Sequence, residues 1–142
     1  MSISKFNSEG YYDPTAYEAL TAVEKSEKAI NTYRPLVYIC SPYSGDIDTN
    51  IKAVRQYSRF AVDRGYIPLT PHLLFTQFLD DDIPSERELG LFFGNVLMSK
   101  CSEVWVFGGY ISSGMESEIE RAKRKNYPIR YFNTDCKEVQ KR

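Results

Sequence analysis

Three carboxylates at alternate positions, Glu116, Glu118 and Glu120, follow small residues in the segment Ser112-Ser113-Gly114-Met115-Glu116-Ser117-Glu118-Ile119-Glu120-Arg121-Ala122. On a helix, a step of two residues turns the side chain by about 200°, so Glu118 opposes both neighbours. Glu116 stands three residues after Ser113, the spacing of a capping box, and that role accounts for it. Glu120 precedes Arg124 by one turn and reads as half of a solvated ion pair. Glu118 has no equally plain structural role. It lies one turn before Ala122, on the side where a small residue permits close packing against a sheet. The competing reading is a carboxylate neutralised by Arg121 or Lys125. A carboxylate beside a loop of small and hydroxyl residues suits glycosidic chemistry, because it can attack an anomeric carbon and form a covalent glycosyl-enzyme. A second acid nearby would protonate the leaving base or orient the nucleophile.

A second small-residue loop, Ser41-Pro42-Tyr43-Ser44-Gly45-Asp46, has similar chemistry. In such loops backbone N–H groups can approach a phosphate or sugar, with a helix N-terminus behind them. Neither loop is a GxGxxG or a Walker loop, and an ordinary turn between strand and helix is the alternative. Glu103 is the candidate second acid. It opens a strand of five residues, however, about 17 Å from the far end, and a solvated strand start explains it as well. His72, the only histidine of the sequence, follows Pro71 at the end of a strand. It could line a pocket or bond to loop backbone. Asp80-Asp81-Asp82 has the composition of a cation loop but reads more simply as a solvated loop before a helix.

The elements that must hold these residues follow from periodicity. Leu36-Val37-Tyr38-Ile39-Cys40 is a continuous apolar run of strand length, expected for a strand buried on both faces. Ile51, Val54, Ser58, Ala61 and Val62 mark a helix that Gly65 closes. Residues 66–70 form a second strand, which Pro68 makes short or places at an edge. Residues 71–83 read as a long connection, and 70–76 at its start is one of three loops, with 41–46 and 108–114, at the carboxyl ends of the strands. Pro84 then opens a helix with a Ser85/Glu88 capping box and an apolar face of Leu89, Phe92, Phe93, Val96 and Leu97. Strands follow at 103–107 and 128–132, with a helix over 114–126 between them. The order β-α-β-α-β-α-β predicts a parallel sheet covered by helices, with ligands beyond the carboxyl ends of the strands. The expected architecture is a Rossmann-like, flavodoxin-like three-layer α/β sandwich with four to five strands. Residues 1–12 read as an arm. Asp13-Pro14 resembles a helix start, with that helix running to about Asn31. Residues 1–34 are therefore expected as an N-terminal extension and 35–142 as the α/β domain.

At 142 residues with 42% hydrophobic and 26% charged residues, one globular domain is expected, large enough to fold without disulfides. A net charge of −1 offers no field for a nucleic-acid polymer or an acidic membrane surface. Cys40, Cys101 and Cys136 are odd in number and widely spaced, against a disulfide framework or a zinc site. The first residues lack the apolar run of a signal peptide, and no stretch reaches the roughly 18 apolar residues of a membrane span. The cytoplasm is the expected compartment, and no metal or redox cofactor is required. The abundance of Tyr and Phe fits core packing first, and a pocket wall or subunit interface second.

Two of these segments carry a resemblance to the nucleoside 2-deoxyribosyltransferase superfamily, which includes the 2'-deoxynucleoside 5'-monophosphate N-hydrolases. Val37-Tyr38-Ile39-Cys40-Ser41-Pro42-Tyr43-Ser44-Gly45 resembles its first strand and loop. The segment from Ser112 to Ala122 resembles its small-residue loop and nucleophile helix. The resemblance spans roughly residues 36–132. It implies Glu118, spaced correctly from Ala122, as nucleophile, with Tyr38 setting it and Glu103 where the family usually has Asp. The expected substrate-binding set is Ser41, Tyr43, Ser44, Gly45, His72, Asn95, Ser112, Ser113 and Gly114. Ser112 stands where the monophosphate hydrolases have a phosphate-contacting serine, whereas Ser44 replaces their first-loop arginine. The tail that transferases lend to a neighbouring subunit is not recognisable in 133–142. The implied activity is cleavage or transfer of the N-glycosidic bond of a 2'-deoxynucleoside or its 5'-monophosphate, with no cofactor and in a homo-oligomer. The alternatives are a non-catalytic nucleotide-binding sensor or accessory protein using the same pocket, and an interaction module built on the N-terminal helix.

Overall fold

The computed structural model describes residues 33–43 and 45–140. The expected arm and helix of the first 31 residues, and Ser44, lie outside the described residues.

Strand β1 (Leu36–Cys40) is buried from its second residue onward, as its unbroken apolar run requires. Helix α1 (Ile47–Asp63) starts at Asp46, whose carboxylate accepts from the Thr49 N–H at 3.2 Å and the Thr49 hydroxyl at 2.8 Å. It stops before Gly65, where a φ of +85° turns the chain into β2 (Ile67–Leu69). β2 is the edge strand, so the missing N–H of Pro68 costs the interior of the sheet nothing.

The connection expected over 71–83 is more ordered than its composition suggests. It contains the four-residue helix α2 (Pro71–Leu74) and a 3₁₀ turn at Phe75–Gln77. Runs this short carry no periodicity to read. Helix α3 spans Pro84–Met98, but Ile83 is its N-cap and no side chain caps it. Pro84 takes the first helical position and draws Ser85 into the first turn, so the expected Ser85/Glu88 box does not form. Glu86 instead accepts from the Asp80 N–H at 3.2 Å. The expected apolar face of α3 is also displaced. Gly94 and Met98 are its buried positions, while Leu89, Phe92 and Val96 are exposed by 42%, 60% and 43%.

After β3 (Glu103–Phe107), helix α4 (Ser113–Arg124) begins one residue earlier than the capping-box reading required. Ser112 is the N-cap, and its hydroxyl accepts from the Met115 N–H at 3.3 Å. Glu120 pairs with Lys123 at 3.9 Å rather than with Arg124. β4 (Ile129–Phe132) then turns back through Asn133, whose side chain accepts from the N–H groups of Asp135 and Lys137. The turn leads into the two-residue strand β5 (Glu138–Val139).

The sheet order is β2-β1-β3-β4-β5, parallel except for β5. Alternation along the strands makes two cores. Val37, Ile39, Trp105, Phe107 and Phe132 pack beneath α1 with Tyr57 and Ala61. Tyr38, Cys40, Val104 and Val106 pack on the other side with Met98 of α3 and Met115, Ile119 and Ala122 of α4. The result is the expected three-layer α/β sandwich. Most of the aromatic weight sits on the α1 side, where Phe107 stacks on Phe132 at 4.9 Å and on Tyr57 at 4.3 Å. Among the described residues, no helix is long and apolar enough to cross a membrane.

Candidate active site

The strands β1 and β3 run parallel, but the chain adds β2 on one side of β1 and β3 and β4 on the other, and this change in strand order opens a crevice at their carboxyl ends. A cavity of about 150 Å³ occupies it. β1 and its loop contribute Tyr38, Ser41 and Tyr43, and α2 with the 3₁₀ turn contributes His72, Phe75 and Thr76. One face of α3 contributes Arg87, Gly90, Gly94 and Asn95, and the start of α4 contributes Ser112 through Met115 and Glu118.

Helix periodicity places Glu118 there. Met115, Ile119 and Ala122 form the buried stripe of α4, and Glu118 lies within that stripe, while Glu116 and Glu120 face solvent. The side chain thus enters from the helix as Tyr38 enters from β1, on the same side of the sheet. The Tyr38 hydroxyl stands beside the Glu118 carboxyl, where it acts on it as a hydrogen-bond donor would. Burial lifts the Glu118 pKa from 4.5 to about 7, and the tyrosine bond opposes the rise. Burial, together with the negative charge of Glu118, pushes the Tyr38 phenol well above its ordinary range, so it remains a donor. Among the described residues neither Arg121 nor Lys125 pairs with Glu118.

Ser41 lines the cavity, and its hydroxyl is buried with no hydrogen-bond partner among the described residues. His72 stacks on Tyr43 with ring centroids 4.9 Å apart and planes 9° from parallel. Burial lowers its pKa, against the charge of Asp81 and a hydrogen bond with the Ser41 backbone, so both readings of His72 hold at once. Gly45 misses the inner cavity. It lines a wider basin of about 680 Å³ outside it, which shares Tyr43, Thr76, Asp81 and Arg87 with the inner wall.

Glu103 is elsewhere. Paired in register with Val37 at the amino end of β3, it does not line the cavity. Its carboxylate accepts from the Trp105 indole N–H at 3.4 Å and lies 3.8 Å from Arg130, which Glu138 holds by two further bonds. Asp80-Asp81-Asp82 forms an exposed loop before α3, with the Asp82 N–H donating to the Asp80 carboxylate at 2.9 Å and the Asp80 N–H to Glu86. Among the described residues, no cluster of acidic, histidine or cysteine side chains is arranged to hold a metal ion.

The loop over 70–76 was placed at the carboxyl ends of the strands by sequence, and the rest of the wall, from 77 to 95, was missed apart from Asn95. Its signal is faint but physical. Gly90 and Gly94 sit four residues apart inside a helix, where each costs roughly 0.5–1 kcal/mol against Ala. Such a pair marks a face that something approaches closely.

The fold and the crevice define a flavodoxin-like α/β domain with its cavity at the switch point of the sheet. Within that class, the chain belongs to a family described as a domain of unknown function, DUF7768, whose model matches residues 35–132. No curated protein matches the sequence. Among solved structures, one of a 2-deoxyribosyltransferase from the psychrotolerant bacterium Bacillus psychrosaccharolyticus is similar, at 15% identity and a TM-score of 0.59. The match covers 69% of this chain and 72% of that one, and the likeness is one of fold.

Proposed function

We propose that this protein cleaves or transfers the N-glycosidic bond of a 2'-deoxynucleoside or its 5'-monophosphate, with Glu118 as nucleophile. The observation that carries the reading is the buried carboxyl of Glu118, which lines with Tyr38 a cavity at the carboxyl ends of β1 and β3. Its pKa of about 7 leaves a large ionised fraction at neutral pH, in a site where little water competes for the lone pair. A Glu118 oxygen bonds to C1', and the C1'–N pair leaves with the base. Water then attacks C1' and restores the carboxylate, its hydroxyl going to the sugar and its proton to the base. In transfer, a second base replaces water. Tyr38 steadies the carboxylate as its charge is spent and returned. Ser41 offers an unsatisfied hydroxyl to a sugar or phosphate oxygen, and Ser112, Ser113 and Gly114 offer the start of α4. Tyr43, on its histidine backing, suits the flat face of a base.

Two further roles belong to the same reading. The α/β domain of 35–142 holds all of this chemistry, and 1–34 is an extension to it. The outward apolar positions Leu89, Phe92 and Val96 of α3 serve a homo-oligomer contact.

One observation favours a non-catalytic nucleotide-binding role. Glu103 stands outside the cavity, so Glu118 has no second acid in the position expected for one. Chromatography separates the two. The protein is incubated with each 2'-deoxynucleoside and each 5'-monophosphate, with and without a second free base, beside Glu118→Ala. Base release that Glu118→Ala abolishes is the expected result, and dependence on the added base distinguishes transfer from hydrolysis. Tight binding with no release from any substrate overturns the enzymatic reading.

A further inference from the structure

We infer that Gly94 is a positioning residue: the bare backbone at this point of α3 gives the Tyr38 hydroxyl the room from which it donates to Glu118. A Cβ built on Gly94 would stand 3.2 Å from the Tyr38 hydroxyl oxygen. That is closer than side-chain carbons ordinarily approach, so one partner must shift by a few tenths of an ångström. Tyr38 cannot give way freely. It is 3% exposed and packed in the core with Cys40, Val104 and Met98. Gly94 is itself buried, and its φ is not among the positive ones, so the helix backbone would accept an alanine and even gain from it. The cost of a side chain here therefore falls on the hydroxyl and on its bond to the carboxylate.

Gly90, one turn earlier, supplies the contrast. A Cβ there would meet Leu79 at 3.6 Å, an ordinary contact with the end of a flexible side chain. The titratable groups facing the pair are Cys40 of β1, close to Glu118 and Tyr38, and Cys101, close to Tyr38. His72, Asp81, Glu86 and Arg87 line the same cavity.

Gly94 has this role only for a carboxylate that works as proposed above, but the position of the bond can be measured without substrate. The test is the titration of the Glu118 carboxyl carbon by NMR in full-length, ligand-free protein. Wild type is compared with Gly94→Ala, Tyr38→Phe, the double variant and Gly90→Ala. Weakening a hydrogen bond to a charged group raises the midpoint, by roughly half a unit to one unit for Gly94→Ala and by about one unit or more for Tyr38→Phe. The double variant should titrate as Tyr38→Phe does, because the atom that the new Cβ would meet is gone. Gly90→Ala should titrate as wild type. A wild-type midpoint in Gly94→Ala overturns the role, as does a further rise when Gly94→Ala is added to Tyr38→Phe. Should Gly94→Ala fail to fold, recovery of folding in the double variant supports the role and its absence overturns it. Wild type that titrates as expected but releases no base would instead count against the glycosidic reading alone.

Discussion

Replacing Glu118 with Gln should stabilise the protein above pH 7 and leave its stability nearly unchanged at pH 4.5. The carboxyl titrates at about 7 in the folded protein against 4.5 in an unperturbed chain, with burial as the main cause. Between those values the folded state keeps a proton that the unfolded state has released. Stability therefore falls as pH rises through this window and levels off above it. The full cost is about 3 kcal/mol. Gln has the same shape, carries no charge to desolvate, and its carbonyl can still accept from Tyr38. Denaturant unfolding of both proteins at pH 4.5 and 8.5 reads the difference directly. At pH 8.5 the variant should gain about 3 kcal/mol, seen in melting as roughly 10 °C. At pH 4.5 the two should agree within about 1 kcal/mol. A gap that does not change with pH, or a variant less stable at pH 8.5, would refute the assignment of Glu118 as a buried carboxylate held at an energetic cost.

The same titration governs rate: kcat/KM for base release should climb toward pH 7 and flatten above it, with its acid limb moved upward in Tyr38→Phe. A pH-independent rate between 5.5 and 8 would exclude an ionised Glu118 as the attacking group. Glu103→Gln should keep base release within about twofold and cost less than about 1 kcal/mol, since Glu138 retains its two bonds to Arg130. A large loss of rate at unchanged stability would return Glu103 to the site. Phe92→Glu, on the outward face of α3, should convert an oligomer to monomers in sedimentation without changing the circular dichroism spectrum. An unchanged sedimentation coefficient would place any subunit contact elsewhere.

The sheet was legible because its strands are buried on both faces and read as apolar runs, and because strands and helices alternate. Alternation and the handedness of crossovers predict a parallel sheet covered by helices, whereas the strand order and the crevice between β1 and β3 come from the structure. Helix geometry set Glu118 apart from Glu116 and Glu120, since alternate carboxylates cannot share a face, but it left open a pairing with Arg121 or Lys125 that only the structure removes among the described residues. The cap positions around Pro84 and Ser112 were misplaced by one residue or two, because proline and serine can each serve at neighbouring positions of a first turn. The reading of α3 failed in a more instructive way. Its periodicity predicts the leucines and phenylalanines as the packed face, yet the helix approaches the sheet through Gly94 and Met98, and much of the cavity wall comes from its glycine side. Hydrophobic periodicity cannot reveal a face that packs closely by having no side chains. The helical form of the wall from Pro71 to Gln77 was hidden for a different reason, because helices of one turn leave no period in the sequence.

The most direct test of the central claim is to find the sugar on the carboxylate. Wild type is mixed with a substrate from which it releases base, quenched in acid during turnover, digested and mapped by mass spectrometry. The account predicts one deoxyribosyl group, or its 5'-phosphate, on the peptide containing Glu118, and none in Glu118→Ala. Turnover with the label on another residue, or base release that persists in Glu118→Ala, would contradict it.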